Sequence, residues 1–281
     1  MAGSDQQIVQ QLLDKFYPKL NDPSSSVYLP KIIGEKYDPD NVGDLPVGAL
    51  PSDPGEKAAK QICAAVAPFG EAYIPTPGVS PTIDLQNVTI AGLSNVKTDR
   101  PIAGGPDGRT ITAEVQFLTL PAPLPQAVTG TGNFILDQQC CTTTDGTTCK
   151  SGVSKHDEEG KGTFKFTIKS GAATLVIKIA DLAPGVLTLK VSSVEFKPVL
   201  PFEITVDITT APEKARQGFN NLAEGTLNTN EAQSAIIMQL NKSLNDDNRL
   251  SGLGQILTDK ADQYLRDNHL YPFNGGAESL F

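Results

Sequence analysis

The chain has 281 residues, 39% of them hydrophobic and 20% charged, with a formal net charge of -9. That hydrophobic content is enough for a core and too high for a disordered chain, and no run of about 18 or more apolar residues offers a transmembrane helix. The balance of 23 basic against 32 acidic residues argues against general affinity for nucleic acid or for anionic membranes, both of which attract cations.

Residues 5 to 20 read as a helix: Ile8, Val9, Leu12, Leu13, Phe16 and Leu20 follow helical spacing, Ser4 or Asp5 can cap it, and Asn21-Asp22-Pro23 ends it. The segment after Met1 lacks the basic stretch and apolar run of a secretion signal. From Pro23 to Pro54 the chain is rich in Pro, Gly and Asp and is expected to be mostly loop. A short helix opens at Ser52 and ends near Pro68, and residues 68 to 81, with four prolines, form an extended connector.

The sheet begins at Thr82. Ile83 and Leu85 share one parity and Val88 and Ile90 the other, which predicts a bulge between them. Ile111, Ala113, Val115 and Phe117 alternate with polar residues, and Val128 to Asp137 is a further strand. The polar segment from Gln138 to Gly160 is an excursion, a hairpin extension pinned by cysteines. Phe164, Phe166 and Ile168, then Leu175, Ile177 and Ile179, then Ile204, Val206 and Ile208 mark three amphipathic strands. Between the last two, Leu187, Leu189 and Val191 share one parity and Val194 and Phe196 the other, so a bulge is expected at Ser192-Ser193. After Pro212 the pattern turns helical: a modest piece over 212 to 223, a clear helix over 230 to 245 capped by Asn230, and a third from Ser251 to Asn268. Helix, grouped strands, then helices indicate an α+β fold, a strongly curved antiparallel sheet wrapped around long amphipathic helices in one domain over residues 1 to 281.

Cys140, Cys141 and Cys149 fall within ten residues, and Cys63 stands apart. The spacing is poor for structural zinc and fits two disulfides, one closing the small loop to Cys149 and the other reaching Cys63; four free thiols are the alternative. Paired cysteines would favour a secreted or extracytoplasmic location. The sequons at Asn87 and Asn241 are common by chance and decide little.

No catalytic constellation stands out. His156 lies in a solvated charge run, Lys155-His156-Asp157-Glu158-Glu159, and His269 follows the last helix. Asp38 to Ala49 imitates a calcium loop, but Val42 and Ala49 replace ligand positions. A nucleophile elbow, a phosphate-cradling loop and a dinucleotide fingerprint are absent, so neither enzyme, metal nor cofactor is expected.

The stretch Ile83-Asp84-Leu85-Gln86-Asn87-Val88-Thr89-Ile90-Ala91-Gly92-Leu93-Ser94 resembles a strand of the tubular lipid-binding (TULIP) superfamily, in which an alternating strand ends in a Gly-Leu turn. Bactericidal permeability-increasing protein, takeout proteins and bacterial proteins encoded beside clostridial neurotoxins are members. The resemblance implies a long helix wrapped in a bent antiparallel sheet, and a groove for a lipid or another apolar molecule. The residues expected to line that groove are Phe164, Phe166, Ile168, Leu187, Leu189, Val191, Ile204, Val206, Leu240, Leu257 and Tyr264. The expected partner is an apolar small molecule and not nucleic acid, with room for transient membrane contact and for a protein partner. The alternative is a structural or interaction protein with a packed core, a component of a secreted or toxin-associated complex, working through its polar loops.

Overall fold

The amphipathic stripe from Val9 to Leu20 folds as α1 (Ala2–Leu20), with Pro18 in its last turn and Asn21 just beyond. The computed structural model describes residues 2–37, 40–49, 52–67, 69–117, 128–143, 148–149, 155–183, 186–210, 216, 220 and 224–267. His269, most of the piece expected over 212 to 223, and the positions 38 and 39 of the calcium-like stretch lie outside the described residues, as does the side chain of His156.

The expectation of loop from Pro23 to Pro54 is corrected. The segment holds α2 (Leu29–Tyr37) and β1 (Asp40–Ala49) before α3 (Ser52–Val66). Pro30 is the second residue of α2, where a missing N–H costs nothing. β1 lies at a sheet edge and slips register at Gly43 and Gly48, both with positive φ, so the glycines that read as loop are the bulges of an edge strand.

Ten further strands follow: β2 (Ala72–Pro75), β3 (Thr82–Ala91), β4 (Val96–Thr98), β5 (Ile102–Gly104), β6 (Thr110–Phe117), β7 (Val128–Thr143), β8 (Lys155–Ile168), β9 (Gly171–Ala183), β10 (Val186–Pro198) and β11 (Glu203–Ile208). Every pairing is antiparallel, and the strands form two sheets. Sheet one runs β1-β3-β7-β8-β11, with β2 beside the far half of β7; sheet two runs β10-β9-β6-β4, with β5 also on β6. Only Lys169 and Ser170 separate β8 in the first from β9 in the second. One hydrophobic cluster runs through both, from Val42 and Phe134 to Ile177 and Val191.

Both parity changes are bulges. The β3–β7 register slips between Gln86 and Thr89, around Asn87 at φ 51°, and the β9–β10 register slips between Val191 and Ser193. The excursion from Gln138 continues the β7–β8 ladder as far as Cys141 opposite Lys155. Cys63 of α3 is bonded to Cys140, and Cys141 to Cys149, with Cα–Cα distances of 5.6 and 5.9 Å. Gly130 and Gly132 let two rings lie across β7: a Cβ on Gly130 would stand 2.0 Å from the Phe166 ring, and one on Gly132 2.8 Å from the Phe164 ring. The last two helices are α4 (Asn230–Leu244) and α5 (Asp247–Asp267). Thr229, not Asn230, caps α4, its hydroxyl accepting the Ala232 N–H.

On the wet face of sheet one, burial and the neighbouring Asp84 raise the pKa of Asp137, with Asp157 adding to the push and Lys161 opposing it. A carboxyl whose folded pKa lies above its unfolded value costs stability while ionised, and acidification through the folded pKa removes that cost. Asp137→Asn should therefore raise the thermal midpoint at pH 7 by about 1–2 °C, a gain that shrinks as the pH drops toward 4, measurable by calorimetry across pH.

Candidate functional site

The apolar face of sheet two is covered by α1 and α5 instead of by another sheet. The free strand edges beside them are met by one device. A strand at a sheet edge carries unpaired N–H and C=O groups on alternate residues, about 6.7 Å apart, and four residues of helix rise about 6 Å. A row of amide side chains spaced four apart on a helix can therefore serve an edge.

Along the edge of β10 in sheet two and that of β11 in sheet one, the row comes from the C-terminal third. Asn241 accepts the Phe196 N–H (2.7 Å) and donates to the Phe196 carbonyl (3.0 Å). Asn245 does the same for Val194 (3.0 and 2.6 Å), Gln233 for Phe202 (2.9 and 2.6 Å) and Asn228 for Ile204 (3.0 and 2.9 Å). Glu224 and Asn220 accept from the N–H groups of Val206 and Ile208. Beyond the bulge the Thr258 hydroxyl bonds both N–H and C=O of Leu189, and Gly254 brings α5 onto β10, where a Cβ would lie 3.2 Å from the Leu189 carbonyl. Asn241 is thus committed to this seam, whereas Asn87 of the other sequon is exposed at its bulge.

The opposite edge of sheet two is served by α1. Gln6 donates to the Ala103 carbonyl (3.1 Å), and Gln10 donates to the Pro101 carbonyl (3.1 Å) and accepts the Ala103 N–H (2.8 Å). Asn21 bonds both backbone groups of Thr98 (3.0 and 3.1 Å). Asp14 and Arg100 add a bidentate surface pair at 2.6 and 2.7 Å. The Arg100 hydrogen bonds first, then that of Gln10, hold the Asp14 carboxyl below its ordinary pKa, so this tie persists above about pH 4 and is lost as acid titrates it.

With both edges sealed, α1 and α5 meet above the sheet, where the Phe16 and Tyr264 rings stand edge to face at 4.9 Å. Beneath them is a cavity of about 140 Å³. Its roof is Val9, Leu12, Leu13, Phe16 and Leu20 of α1 and Leu257, Ala261, Tyr264 and Leu265 of α5. Its floor is Ile111, Ala113 and Val115 of β6, Leu175, Ile177 and Ile179 of β9, and Leu187 and Leu189 of β10. Lys15 and Thr98 are the only residues with polar side-chain groups in its wall apart from the Tyr264 ring; the Thr98 hydroxyl is turned to the carbonyls of Asp99 and Glu114. A lobe of about 50 Å³ shares Leu29, Val115, Leu175 and Leu257 with it. Such a wall offers dispersion contact and dehydration to an apolar body. Among the described residues no group of three or more His, Cys, Asp or Glu is placed to hold a metal.

Of the residues read from the sequence, Leu187, Leu189, Leu257 and Tyr264 line the cavity. Phe164, Phe166, Ile168, Val191, Ile204, Val206 and Leu240 are buried in the surrounding core and do not line it. The contribution of α1 was not assigned to the groove from sequence, although its stripe was legible. The floor strands β6 and β9 were legible in the same way; nothing in their alternation marks a gap above them.

No family model matches this chain, and no curated protein does. Among solved structures it is similar to takeout 1 of Epiphyas postvittana, at 12% identity over 68% of this chain and 88% of that one, with a TM-score of 0.36. It is also similar to a lipopolysaccharide binding protein, at 13% identity over 77% of this chain and 42% of that one, with a TM-score of 0.30; the match takes in less than half of that protein.

Proposed function

We propose that the protein is a non-catalytic carrier of an apolar molecule, held between α1, α5 and sheet two. The observation that carries this reading is the cavity itself: a partly open space of about 140 Å³ whose wall is built almost wholly of aliphatic and aromatic side chains. Packed interiors leave few voids larger than a water molecule, and a void this apolar stays dry until an apolar body fills it. Leu187, Leu189, Leu257 and Tyr264 make the central contacts, joined by Leu12, Leu13 and Phe16 of α1. A longer acyl chain would extend beyond them toward the core residues Phe164, Phe166, Ile168, Val191, Ile204, Val206 and Leu240. Selectivity comes from length and girth, with few polar contacts to read a head group.

Native mass spectrometry of the purified protein, followed by organic extraction, tests the proposal. A discrete added mass that resolves into a lipid or similar apolar compound is expected, or, from an empty protein, saturable uptake of the fluorescent probe N-phenyl-1-naphthylamine. A bare mass together with no uptake of that probe or of fluorescent fatty acids would leave the cavity as a packing defect and favour the interaction-protein reading.

A further inference from the structure

We propose that α1 is the moving wall of the cavity and the route by which its occupant enters. The inference rests on the carrier reading above and adds how the site is opened. A cavity of about 140 Å³ is smaller than the roughly 300–1,000 Å³ of ordinary ligand sites. A carrier with this interior must expand, so one wall must yield.

The walls are not equally fixed. The floor is continuous sheet, paired residue by residue from Thr110 opposite Lys178 to Phe117 opposite Gly171. The α5 roof is seated on β10 through Gly254, with buried Leu250, Leu253, Ala261 and Leu265 and the double bond of Thr258 to Leu189. It continues from α4, whose Gln233 and Asn241 are locked to β11 and β10 at buried or half-buried positions. By contrast, α1 lines the cavity with six side chains, of which only Val9 is fully buried. The side chains of Gln6, Gln10, Asp14 and Asn21 tie it to the short strands β4 and β5 and the stretch between them. The Asp14–Arg100 pair is exposed, and although Thr98, Pro101 and Ala103 are buried, Gln6, Gln10 and Asn21 are exposed or half-exposed, so water reaches the helix side of each bond as it breaks. Behind α1 the chain turns at Asn21 to Tyr28 through bonds between neighbours: Asp22 accepts from Ser24, Ser25 from Val27, and the Ser25 carbonyl from Tyr28. Rotation about that turn lifts Leu12, Leu13 and Phe16 off the floor strands and parts the Phe16–Tyr264 contact, while the strand pairing of sheet two and the Thr258–Leu189 bonds of α5 stay intact.

The experiment ties α1 to the sheet it would leave. In Asp14→Cys/Arg100→Cys the two thiols replace exposed side chains already in contact, and the native cysteines are all in disulfides, so a short cleavable bis-thiol linker reacts at the new pair. Uptake of N-phenyl-1-naphthylamine is followed by stopped flow for linked, cleaved and wild-type protein. The expected result is at least a tenfold slower uptake in the linked form, restored on cleavage. Equal uptake by linked and cleaved forms overturns the moving wall and leaves the carrier reading standing; no uptake by any form, wild type included, removes both. Hydrogen exchange on the wild-type protein gives a second readout if the pair disturbs folding. Amides of α1 should exchange faster than those of α5 and slow when the probe is added; exchange in α1 as slow as in α5 would overturn the proposal.

Discussion

Gln233→Met should lower the unfolding free energy by about 3–4 kcal/mol, the largest loss expected from any single polar side chain in the protein. Gln233 is fully buried, and its one amide accepts the Phe202 N–H at 2.9 Å and donates to the Phe202 carbonyl at 2.6 Å. Methionine matches its length and flexibility, so the shape of the site survives and the two backbone groups lose their partner. Each buried orphan costs about 1–3 kcal/mol, and the protein as a whole has of the order of 5–15 kcal/mol to lose. The same substitution at Gln10, a half-exposed side chain that bonds the backbone of Pro101 and Ala103, should cost less, about 1–2 kcal/mol. Urea unfolding of the two variants beside wild type measures the contrast. Equal midpoints for Gln233→Met and wild type would mean that packing, and not the amide, holds α4 to the strands.

This seam also shows where the sequence speaks and where it is silent. Period-two alternation from Phe164 to Ile208 reveals strands, and the parity changes at Val88 and at Ser192 reveal bulges, because a strand buries one face and a slip of one residue exposes it. The same alternation cannot say that the strands part into two sheets between Ile168 and Gly171, since burial parity is unaffected by which neighbour supplies the hydrogen bonds. The amide row was present in the letters: Asn220, Glu224 and Asn228 are four apart, as are Asn241 and Asn245. Read as helix surface, such residues look like a solvated face, and only the edge groups of β10 and β11 opposite them give the spacing its meaning. The α2–β1 segment failed for a related reason, since Pro30, Gly43 and Gly48 punctuate loops and edge elements alike. At the candidate site the lining side chains are ordinary core residues by type. What turns Leu189, Leu257 and Phe16 into a wall is a gap of about 140 Å³ between helix and sheet, and a gap leaves no mark on a residue pattern.

Ala261→Phe should abolish uptake of an apolar probe, by at least about a hundredfold in affinity, while making the protein more stable. Ala261 lies on α5 in the roof of the cavity, and a void of about 140 Å³ is close to the roughly 150 Å³ that accepts a benzene ring in an apolar core. A phenyl group carried by α5 therefore occupies the site from within. Empty cavity volume costs about 24 cal/mol per Å³, so complete filling would recover about 3 kcal/mol; imperfect fit between Phe16, Tyr264 and the new ring reduces the expected gain to about 1 kcal/mol. The opposite signs make the result decisive. A variant that loses binding because its fold is damaged loses stability as well, whereas a variant that plugs its own site gains stability as it loses binding. Paired titrations with N-phenyl-1-naphthylamine and urea unfolding curves read the two quantities on the same sample. Full binding by a folded, more stable Ala261→Phe protein would place the ligand elsewhere than under α1 and α5. Ala113→Leu, which projects from the floor strand β6 into the same space, checks the conclusion from the other side of the cavity and should weaken uptake less, since it fills less of the void.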